Sequence, residues 1–72
     1  MNANPILLQK KYARVVANFA KRTELSLAEA LNFFYVSRTY DLMSHGISDM
    51  HCMSDDYLAE DLCREFREFN EK

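Results

Sequence analysis

The sequence predicts an all-α fold, a compact three-helix bundle in which residues 1–72 form a single helical domain. Three observations carry that prediction. Apolar residues recur at three- and four-residue spacing along each third of the chain, and a helix-starting signal precedes each periodic stretch. The 72 residues include one Pro, Pro5, and one Gly, Gly46, placed where a helix would begin and where one would end. With so little glycine and length, the chain excludes doubly wound sheets, barrels and phosphate-binding loops.

Asn4 and Pro5 read as the N-cap and first position of a helix running to about Arg22, because proline lacks only an N–H that a first turn leaves unpaired. Leu8, Tyr12, Val15, Val16 and Phe19 fall on one core-facing arc, with Lys10, Arg14 and Lys21 opposite.

Ser26 with Glu29 is a capping box, and Leu25 before it supplies an apolar staple. The second helix then runs to His45-Gly46, where glycine suits a left-handed end. Two apolar stripes share it: Leu27, Leu31, Phe34, Tyr35 and Leu42 on one face, and Phe33, Val36, Tyr40 and Met43 roughly opposite. Three helices cannot sandwich a fourth stripe. Either something else covers it, or the helix breaks near Ser37 and its second half is re-aimed.

Residues 47–54 form a short polar connection in which Ile47, Met50 and Met53 are spaced to lie on apolar surface, making it a candidate lid. Ser54 caps the third helix, and Asp55 and Asp56 complement the helix dipole in its first turn. Leu58, Leu62, Phe66 and Phe69 form its core stripe and Tyr57 points away.

The net charge of −2 conceals a division. Residues 1–23 hold Lys10, Lys11, Arg14, Lys21 and Arg22 and no acid, whereas the rest sets four basic residues against all eleven acids, a net of −7. The plainest reading is a basic first helix lying beside an acidic last one. The opening carries no export-signal pattern, and no apolar run approaches the roughly 18 residues that span a bilayer, so a cytoplasmic location is expected. Cys52 and Cys63 read as reduced thiols.

Little chemistry is written in the side chains. His45, Asp49, His51 and Cys52 are the one cluster of ligand-type residues, but they form neither of the spaced pairs typical of zinc sites. Neighbouring His51 and Cys52 also make a poor nucleophile and base. No catalytic residue, metal, cofactor or small-molecule substrate is expected, and the protein reads as non-enzymatic. A small DNA-associated regulator using Lys10, Arg14 and Lys21 is the alternative, on a thin basic footprint. The uncovered stripe favours protein–protein interaction, with Phe33, Val36, Tyr40, Met43 and Tyr57 as the expected contact surface.

Residues 26–62 add a resemblance. The Phe33-Phe34-Tyr35 run, the Ser37-x-x-Tyr40 spacing, the GISDMHCMSDDYLAEDL stretch and the Asn-Pro-Ile-Leu-Leu opening resemble a family of small bacterial proteins classed as a domain of unknown function. Some members are encoded beside proteins resembling ADP-ribosyltransferase toxins. The resemblance implies an accessory or antitoxin-like partner of another bacterial protein, as in toxin-antitoxin pairs, while the uncovered stripe on the second helix leaves a homo-oligomer as the other expectation. It supplies no catalytic residues.

Overall fold

The protein is described by a computed structural model that covers residues 5–46 and 52–70, with side chains from Leu8 onward. Among the described residues the fold is all-α, with four helices rather than three and no strand: α1 (Pro5–Thr23), α2 (Leu27–Val36), α3 (Arg38–Ser44) and α4 (Asp55–Asn70). α1 packs along both α2 and α4, and α3 closes against α2 and α4. The Asn4 cap and most of the 47–53 connection lie outside the described residues.

The fourth helix arises because the expected second helix breaks at Ser37. Ser37 adopts an extended backbone, φ −81° and ψ 156°, and serves both neighbours. Its hydroxyl donates to the Phe34 carbonyl at 2.6 Å, ending α2, and accepts the Tyr40 N–H at 3.0 Å, starting α3. This is the competition of a serine side chain with the helical ladder that suits serine to helix ends.

The turn needs a second group. The Glu65 carboxylate, from α4, accepts the N–H groups of Arg38 at 2.9 Å and Thr39 at 3.0 Å, and the Thr39 hydroxyl at 2.5 Å. With Asp41 N–H on the Ser37 carbonyl at 3.3 Å, all four N–H groups of the first turn of α3 have partners. A residue 26 positions away in sequence thus performs the capping that a local side chain usually performs.

The other signals stand where the sequence puts them. Ser26 and Glu29 form a reciprocal capping box at 3.1 Å in each direction. Ser54 Oγ accepts the Tyr57 N–H at 3.0 Å. Gly46, at φ 66°, takes the left-handed conformation, and so does Glu24, at φ 60°, where α1 turns into α2 without a glycine.

Tyr12, Val15, Val16, Phe19 and Ala20 of α1 meet Ala30 and Phe34 of α2, Met43 of α3, and Leu58, Ala59 and Leu62 of α4 in one core. Two aromatic groups extend it. At one end Tyr12, Phe34, Tyr35 and Tyr40 stack at centroid distances of 5.1–5.8 Å. At the other, Phe19, Phe33, Phe66 and Phe69 do so at 5.3–6.0 Å.

Two expectations about the stripes are overturned, for two different physical reasons. The angular register of a helix does not carry through an extended residue. Met43, assigned to an outward stripe by counting through Ser37, is 1% exposed and belongs to the core. Leu27, Leu31 and Tyr35, assigned to the core face, lie before the break, within one helix, and are exposed because the face that α2 buries is narrow, centred on Ala30 and Phe34. On α4 the core stripe ends at Phe66, and Phe69 stands 64% exposed.

Candidate functional site

The basic opening and the acidic last helix are joined by ion pairs. Asp55 is the centre of the join. Its Oδ1, closed off from solvent, faces Lys11 Nζ at 2.8 Å, and its Oδ2 accepts Arg14 Nε–H at 2.9 Å. Lys11 Nζ also donates to the Met53 carbonyl at 2.5 Å, tying the end of the connection to α1. Further along α1, Asn18 donates to Asp56 at 2.8 Å, and Arg22 reaches Asp56 at 3.4 Å and Glu60 at 3.7 Å.

Hydrogen bonds from Lys11, followed by those from Arg14 and the charges of both residues, hold the Asp55 carboxyl below its ordinary 3.8 against an opposing effect of burial. A depressed carboxylate stabilises the folded state above the unfolded value, and the benefit disappears as pH falls through the folded value. Acid unfolding of the protein is therefore expected to steepen below pH 3.8, and Asp55→Asn is expected to flatten that limb of a stability–pH curve followed by circular dichroism. An unchanged limb in the variant would show that Asp55 has no part in it.

These pairs bear on the candidate DNA-facing residues. Lys10 and Lys21 are exposed, but Arg14 is committed to Asp55, so the predicted basic row on α1 is interrupted by an acid at its centre. The ligand-type cluster is not assembled among the described residues. His45 is exposed, with Nδ1 at 2.8 Å from the Asp41 carbonyl oxygen, Cys52 is exposed, and Asp49 and His51 lie outside the described residues. No group of three or more His, Cys, Asp or Glu able to hold a metal occurs among the described residues. No described helix is long and apolar enough to cross a membrane.

Cys63, at the edge of the core, lines a cleft of about 670 Å³ with Arg22, Thr23, Glu60, Arg64 and Arg67. Burial pushes its thiol up, with Arg22 and Arg67 opposing and Glu60 adding to the rise. A thiol raised in this way is protonated at neutral pH and is a poor nucleophile.

The apolar surface is concentrated on α2. Among the residues expected to make contact, Val36 is 79% exposed and Tyr57 half-exposed. Phe33 and Tyr40 are half-buried, each within one of the aromatic groups. Met43 is removed from the surface altogether. To these the structure adds Leu27, Leu31 and Tyr35, which form a ridge at i, i+4 and i+8 on one flank of α2.

On the other flank the break at Ser37 opens a groove of about 470 Å³. Phe33, Val36 and Arg38 line it from α2 and the start of α3, and Phe69, Glu65 and Glu68 from α4. α2 therefore buries Ala30 and Phe34 in the middle and leaves apolar side chains on both sides of them.

Sequence reasoning missed Glu65 and Phe69 as members of this site. A signal for the first was present, because Leu58, Leu62, Glu65 and Phe69 follow the i, i+4, i+7, i+11 spacing of a buried seam. An acid in such a row needs a donor.

No protein family, curated protein or solved structure matches the chain.

Proposed function

We propose that this protein acts by contact with another polypeptide chain and without catalysis, through the two flanks of α2. The observation that carries this reading is the exposure of Leu27, Leu31, Tyr35 and Val36 on a helix that fully buries Ala30 and Phe34 alone. Clustered apolar side chains of this size on so small a surface favour a covered site over free solvation. The raised Cys63 thiol, and the commitment of Asp55 to Lys11 and of Glu65 to the start of α3, support a non-enzymatic role. The resemblance of residues 26–62 to small bacterial proteins beside toxin-like enzymes supports an accessory or antitoxin-like role, in which the partner is either such a neighbour or a second copy.

The test uses the full chain, tagged and recovered from its native cells, beside a Leu31→Asp/Val36→Asp variant. Both positions are exposed, so the variant is expected to keep its helical circular dichroism. The wild type is expected to run as part of a complex, and the variant to lose at least about tenfold in affinity, as when interface-centre residues are disrupted. A wild-type chain that is monomeric and carries no stoichiometric companion would overturn the reading.

A further inference from the structure

The geometry points to the groove at the α2–α3 break as the interface between two copies of the chain, paired about a two-fold axis that runs along the groove. This deepens the contact reading above and rests on it. The two walls of the groove differ in sign. The α2–α3 wall ends in the cation Arg38, and the α4 wall carries the acid Glu68. The other acid of that wall, Glu65, is occupied by the Arg38 and Thr39 N–H groups and the Thr39 hydroxyl. Among the described residues neither the Arg38 guanidinium nor the Glu68 carboxylate belongs to an ion pair.

A two-fold axis lying along a groove sets each wall against the opposite wall of the partner. Arg38 of one copy then faces the partner's Glu68, and the same pair is repeated across the axis. Between these pairs the exposed Val36 and Phe69 of each copy meet over the Phe33 rings, and all three apolar positions are covered at once. Such an arrangement is isologous, with one patch complementary to itself, which is the common form of small homo-oligomers. A volume of about 470 Å³ is enough to accept side chains from a facing surface. The patch is small beside the roughly 800 Å² per partner of a standard interface, so association in the micromolar range or weaker is expected.

Sedimentation equilibrium of the intact chain tests the pairing, with expected mass approaching twice 8.5 kDa as concentration rises through the micromolar range. Val36→Asp is expected to weaken dimerisation at least about tenfold. Arg38→Glu and Glu68→Arg are each expected to weaken it about fivefold by setting like charges together, and the double exchange R38E/E68R to restore it, since the walls again differ in sign. Leu31→Asp, on the opposite flank, is expected to leave it unchanged.

A chain that stays monomeric to millimolar concentration overturns the pairing. So does a dimer lost in Leu31→Asp but kept in Val36→Asp, or a double exchange no better than the single ones. The broader contact reading fails separately, when no other protein accompanies such a monomer.

Discussion

Phe34→Ala is expected to lower the stability of the fold by about 3–5 kcal/mol, the range for removing a fully buried aromatic ring. Phe34 has no exposed surface, and its ring lies 5.3 Å from Tyr12, 5.1 Å from Tyr40 and 5.8 Å from Tyr35. It is thus the fully buried member of an aromatic group that α1, α2 and α3 share. Folded domains hold only about 0.05–0.15 kcal/mol per residue, so a loss of this size is a large share of what a 72-residue chain can possess. At roughly 4–8 °C per kcal/mol for a domain of this size, the melting temperature is expected to fall by on the order of 20 °C.

The neighbouring substitution Tyr35→Ala is the internal control. Tyr35 is 49% exposed, and its removal is expected to cost about 1 kcal/mol or less. Thermal and urea unfolding of the two variants measure the contrast. Equal losses at 34 and 35 would mean that the burial pattern of α2 is wrong, and with it the identification of the two exposed flanks.

That contrast also shows how far the sequence could be read. Along α1 periodicity is a sufficient guide: the predicted stripe is buried except for Leu8, which is partly covered, and the Ser26, Gly46 and Ser54 signals mark the ends they are expected to mark. Within α2, Phe34 and Tyr35 differ by 100° of rotation, and an arc drawn to include Leu27, Leu31, Phe34 and Tyr35 was too wide for a helix that buries only the small Ala30 and one ring. The presence of apolar side chains on two sides of this helix was legible, because it follows from composition at helical spacing. The assignment of Met43 was not, since it depends on a turn held by a carboxylate from another helix. Local rules describe local hydrogen bonds, and the groove exists because of a long-range one.

Glu65 is accordingly the second position where a large effect is expected. Its carboxylate takes three hydrogen bonds from α3, and Thr39, one of the two donors, is fully buried. Glu65→Ala leaves the Arg38 and Thr39 N–H groups and the Thr39 hydroxyl to find other partners. Arg38 is exposed, and water can replace the carboxylate there, whereas at Thr39 it cannot do so without opening the packing. A loss of about 2–3 kcal/mol is expected, within the range of hydrogen bonds to a charged acceptor, with a melting temperature lower by on the order of 15 °C.

Glu65→Gln separates charge from hydrogen bonding, since its amide offers one acceptor oxygen in place of two and no charge. Its stability is expected to lie between those of the wild type and Glu65→Ala. Amide hydrogen exchange gives the site-specific readout: faster exchange at Arg38, Thr39 and Tyr40 in both variants, with little change along α1. Because Arg38 is the first residue of α3 and lines the groove, loosening that turn is also expected to weaken the proposed pairing of two copies. If Glu65→Ala leaves both the melting temperature and those three amides unchanged, the break at Ser37 is held by Ser37 alone, and the groove does not depend on α4 for its shape.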